Sequence, residues 1–146
     1  MNRDGNRDRE GGTVTVMLVG FFLVIAALTA AVVDASAAFL TRQQLNSLAD
    51  GAALAAIDGA QGQEVYEQGL GELAVVDPQV ASASVADYLA AVGAHDDHAS
   101  LSYDVVSDGT RVTVTVSARL DLPIVPPGWD ADTLVVGRSS AIAPVV

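Results

Sequence analysis

From Gly11 to Val33 the chain carries no charged residue, and within that stretch Val14–Val33 reads VTVMLVGFFLVIAALTAAVV. A buried strand has no use for twenty consecutive uncharged, mostly apolar positions, whereas a helix of that length rises about 30 Å, the thickness of a bilayer's hydrocarbon core. The β-branched residues in the run do not change this reading, because length decides it. The sequence predicts a transmembrane helix over residues 13–34.

Flanking charges give the helix a direction. Arg3, Arg7 and Arg9 precede it, and the next basic residue is Arg42. Counting basic residues alone, as membrane insertion does, predicts a cytoplasmic tail at residues 1–12 and an extracytoplasmic domain at 35–146. The tail is neutral, since Asp4, Asp8 and Glu10 balance its three arginines. The net charge of −11 therefore belongs to residues 35–146 together with Asp34, even though 51% of the chain is hydrophobic. Such a chain repels phosphates and offers no basic patch, which argues against nucleic acid as a partner. It has no Cys, so disulfides, thiol catalysis and thiolate metal sites are excluded. The competing expectation is a signal peptide. Ala35-Ser36-Ala37 fits the small-residue rule, and cleavage after Ala37 would release a secreted acidic binding module. Against it stand the length of the apolar run and a helical pattern that continues through the site.

Past the span, Leu45, Leu48, Ala49, Ala52, Ala53 and Ala56 recur at three- and four-residue spacing, while Arg42, Gln43, Asn46 and Asp50 fall largely on other faces. This small-residue stripe suits close packing, either on the chain's own domain or on another subunit. Gly59 and Gly62 are expected to end the helix, with a loop and a short helix over 60–76. Asp77-Pro78 then starts a second helix to about Val92, burying Val80, Val85, Leu89 and Val92, with Gly93 as its stop. After a polar loop at 94–100 the period becomes two. Leu101, Tyr103 and Val105 lead into an Asp108-Gly109 hairpin turn. Val112, Val114, Val116, Ala118, Leu120 and Leu122 then alternate with polar residues in a strand with one buried face. Pro123, Pro126, Pro127 and Gly128 break it, and Thr133–Ala143 reads as a third strand. The fold class is α+β: a transmembrane helix extending into water, a second helix, and a small antiparallel sheet.

Few residues suggest chemistry. His95-Asp96-Asp97-His98 is the one cluster of metal-ligand types, and a solvated loop is the preferred reading over metal binding because no supporting ligand stands elsewhere. Nothing singles out a carboxylate pair from the 18 acids, and nucleophile-elbow, phosphate-loop and zinc-protease motifs do not occur. No catalytic, cofactor-binding or metal-binding residue is assigned, no cofactor is implied, and an enzyme is not expected. Asp34 ends the span, where an interfacial acid is commoner than an intramembrane functional one. Trp129 is the lone Trp and reads as an interface anchor or a sheet-edge plug.

The order of Arg9-Glu10-Gly11-Gly12, an apolar span closing on Val32-Val33-Asp34, the patch Arg42-Gln43-Gln44 and the helix Leu45-Asn46-Ser47-Leu48-Ala49-Asp50-Gly51-Ala52-Ala53-Leu54-Ala55-Ala56 resembles the N-terminal signature of the TadE/TadG-like Flp (Tad) pilus-assembly family. The resemblance covers roughly residues 9–60. It implies a pilin-like helix and a single-span accessory component of a Tad/Flp-type pilus or related secretion apparatus. It also implies other pilus subunits as partners, met through the Leu45–Ala56 face, beside the lipid bilayer. Processed members are cut after a Gly and carry Glu at the fifth position beyond it. Counted from Gly12 that position is Met17, and a cut at Gly5 would begin the helix on Asn6-Arg7-Asp8-Arg9, so the unprocessed TadG-like branch fits better.

Overall fold

One helix organises the molecule. The computed structural model describes residues 7–67, 76–125 and 132–143, and α1 runs unbroken from Arg7 to Glu67, 61 residues and about 90 Å of helix. It is followed by α2 (Pro78–Ala91), the single turn α3 (Ala94–Asp97), and the strands β1 (Ser102–Ser107), β2 (Arg111–Asp121) and β3 (Asp132–Ile142). The strands form one antiparallel sheet in the order β1-β2-β3. This is the α+β arrangement expected.

The two ends of α1 lead different lives. Residues 12–29 are exposed on every face. Beginning at Leu45, every third or fourth residue disappears into a core, and Leu45, Ala49, Ala52, Ala53 and Ala56 are wholly buried. They meet Val112, Val114, Val116 and Ala118 from the inner face of β2, and Ala81, Val85 and Leu89 from α2. Small side chains on α1 bring these elements close. At Gly137 of β3 a Cβ would overlap the Leu45 backbone carbon, so strand and helix touch main chain to main chain. At Gly51 it would overlap the Tyr88 hydroxyl of α2.

Four expectations need correction. The helix does not end at Gly59 or Gly62 but continues to Glu67, because Ile57 and Ala60 are buried in the core and offset the cost of about 1 kcal/mol that each helical glycine carries. On α2 the buried stripe is Ala81, Val85 and Leu89. Val80 lies on the flank, half-buried, and Val92 is 43% exposed because it is the C-cap, already outside the helix. The stretch 94–100 is not all loop, since Ala94 is buried and opens the turn α3. The buried stripe of the Leu45–Ala56 face, which the resemblance gave to other subunits, packs on the chain's own sheet and α2, the alternative that its spacing also allowed.

Other local readings stand. Asp77 caps α2, its Oδ1 accepting the Gln79 amide at 2.6 Å and the Val80 amide at 3.4 Å, with Pro78 in the first turn. Gly93 stops the helix at φ +69°, a left-handed conformation glycine adopts without strain. The hairpin turn sits at Asp108-Gly109, joining the paired residues Ser107 and Val112. In the central strand Val112, Val114, Val116 and Ala118 point inward without exception.

Candidate functional site

The bare half of α1 is the most unusual surface of the molecule. Its most apolar stretch has a mean hydropathy of 2.8 and none of it is buried, so it is a helix long and apolar enough to cross a membrane. Phe21, Phe22 and Leu23 are each more than 60% exposed, and Met17 is 75% exposed among them. A soluble domain rarely shows so large a contiguous apolar surface. The hydroxyls near its C-terminal end are satisfied within the helix: Thr29 Oγ1 donates to the Ile25 carbonyl at 2.9 Å and Ser36 Oγ to the Val32 carbonyl at 2.7 Å. Such internal bonding is what lipid requires of a polar group.

Where this half meets the folded domain lies Asp34. It is half-buried, on a stripe with Ala30, Ala37, Ala38 and Thr41 that leads down to Leu45. Asp34 Oδ1 accepts a hydrogen bond at 3.1 Å from the backbone amide of Ile124, ninety positions later, in the connection between β2 and β3. The sequence placed Asp34 at the end of the span and stopped there. Its partner is a main-chain amide, which every residue but proline carries, so no side-chain pattern could have announced it.

The histidine cluster assembles little. His95, Asp96 and Asp97 are exposed on α3 and His98 is half-buried. Asp97 and His98 line a shallow groove with Gln44, Ser47 and Leu48 of α1 and Tyr88 of α2, a grouping the sequence did not suggest. Among the described residues no three His, Asp or Glu side chains gather as metal ligands would. Trp129 lies outside the described residues.

One carboxylate is strongly engaged. Asp108 Oδ1 accepts from the Thr110 amide at 3.0 Å and the Arg111 amide at 2.7 Å, and the Thr110 hydroxyl donates to it at 3.1 Å. Those amides, the hydroxyl and the Arg111 charge hold its carboxyl below the usual aspartate value of 3.8. The arrangement pins the β1–β2 turn and is structural.

Residues 12–63 match the family model described as putative Flp pilus-assembly TadE/G-like. That segment is the bare half of α1 together with its core-forming continuation, and the resemblance read at residues 9–60 falls on it. No curated protein and no solved structure matches the chain.

Proposed function

We propose that the protein is a single-span structural component of a Tad/Flp-type pilus or related secretion apparatus, without enzymatic activity. The carrying observation is the division of α1: within one matched segment the helix passes from exposed and apolar on every face to burying one face in a core. A helix built this way anchors a domain and sets it at a fixed distance from a bilayer. In this reading residues 1–12 are the cytoplasmic tail, the span lies in the cytoplasmic membrane, and residues 35–146 stand outside. The three arginines before the span and the single Arg42 after it support that orientation. Because the Leu45–Ala56 face is occupied, partners are met elsewhere, on the exposed side of α1 or on the outer face of the sheet.

The test is co-purification of the tagged full-length chain from detergent-solubilised membranes, with intact-mass measurement of the membrane fraction. The expected result is an uncleaved chain retaining Met1–Val33 together with other pilus or secretion subunits. A mass beginning at Ala38 would overturn the anchor in favour of a released module, and recovery without any such subunit would overturn the pilus role.

A further inference from the structure

The uncharged run ends on the sequence at Asp34, but apolar surface does not end there. Between Gly11 and Thr41 Asp34 is the single charge, and those 31 residues rise about 46 Å, well beyond a hydrocarbon core of about 30 Å. On the side of α1 turned from the domain, Val32, Ala35, Ser36, Phe39 and Leu40 line one continuous, mostly apolar face, with Phe39 67% and Leu40 58% exposed. On the other side residues 122–125, which follow β2, come down to the same level, tied there by the bond from the Ile124 amide to Asp34. Residues 122–125 are Leu-Pro-Ile-Val, with no polar side chain among them, and Ile124 and Val125 are 42% and 39% exposed.

We propose that the segment directly after β2, residues 122–125, is a second membrane contact: Ile124 and Val125 enter the headgroup–acyl boundary beside the helix and hold the folded domain flush on the bilayer. This rests on the reading of α1 as the span. Lipid is the fitting occupant because the patch is continuous with the span and fastened to it. The same geometry explains the Asp34 pair. A carboxylate drawn into the boundary loses hydration, and the Ile124 amide replaces part of it while fixing the loop's height.

The chain has no Cys, so single cysteines can carry an environment-sensitive fluorophore in the full-length protein reconstituted into phosphatidylcholine–phosphatidylglycerol vesicles containing nitroxide lipids. The labelled positions are Ile124→Cys, Val24→Cys inside the span and Asp104→Cys on the exposed face of β1. The expected result is strong quenching at 24, and quenching at 124 several-fold above that at 104. Asp34→Ala should return position 124 toward the level at 104, whereas Asp34→Asn, which keeps an acceptor oxygen, should not. Quenching at 24 with position 124 no different from 104 overturns the second contact and leaves the span standing. A blue-shifted label at 124 that lipid nitroxides do not quench places protein there, and also overturns it. An unquenched label at 24 overturns the span and this inference with it.

Discussion

Two residues show how much of this domain rests on single atoms. Gly137 has no room for a side chain, since a Cβ there would stand 2.6 Å from the Asn46 amide nitrogen and the Leu45 carbonyl oxygen. Gly137→Ala must separate β3 from α1, and overpacking of this kind costs about 1–3 kcal/mol. A lowered urea midpoint for the detergent-solubilised variant checks it. Asp108 sets an acid dependence whose sign follows from its lowered pKa. Its carboxylate contributes stability in full above the ordinary value of 3.8, and that contribution is lost as pH falls through the lower folded value. Asp108→Asn has nothing to titrate. The gap between wild type and variant in urea midpoint should therefore be constant from neutral pH to about pH 5 and close on further acidification. Neither residue was equally legible. The Asp108-Gly109 pair announced a turn, but Gly137 stands in an ordinary strand pattern, and the need for glycine there comes from Leu45 and Asn46 of a helix far earlier in the chain.

At the scale of elements, α1 carries two opposite surfaces on one continuous backbone. Leu45 and Leu54 share residue type and helix, yet Leu45 is wholly buried and Leu54 is 61% exposed. Leu45→Ala should cost about 2–5 kcal/mol through the cavity it leaves, and Leu54→Ala should stay within about 0.5 kcal/mol. Paired denaturation curves decide this, and equal losses would refute the packing described. The spacing of Leu45, Ala49, Ala52, Ala53 and Ala56 disclosed that stripe before any fold was known. It could not say what the stripe meets, because small residues suit a neighbouring subunit and a neighbouring sheet equally. Glycine propensity likewise misjudged the helix's end, since burial of Ile57 and Ala60 outweighs two helical glycines.

For the whole molecule, exposure alone does not distinguish surfaces made for lipid from surfaces made for water. Leu23 on the bare half of α1 is 65% exposed and Leu134 on the outer face of β3 is 63% exposed. Under the anchoring reading their environments differ completely. Leu23→Arg places a charge near the middle of the span, at a cost of about 3 kcal/mol to insertion, whereas Leu134→Arg meets solvent. The first should deplete the membrane fraction and the second should leave it unchanged, as fractionation and immunoblotting would show. Equal behaviour would count against the span.

The amino-acid sequence by itself determined what depends on neighbours along the chain: the uncharged helix, the Asp77 cap, the Gly93 stop, the hairpin turn, the alternation of β2 and the signature that residues 12–63 share with a pilus-assembly family. Each is a matter of local spacing, hydropathy and charge, which physical periodicity converts directly into structure. Only the tertiary structure decided that the small-residue stripe is spent on the chain's own core, that Gly137 must be bare, and that Asp34 holds Ile124 against the helix. Those outcomes depend on which distant segments meet, and backbone atoms, identical at nearly every position, make the decisive contacts at Gly137 and Asp34.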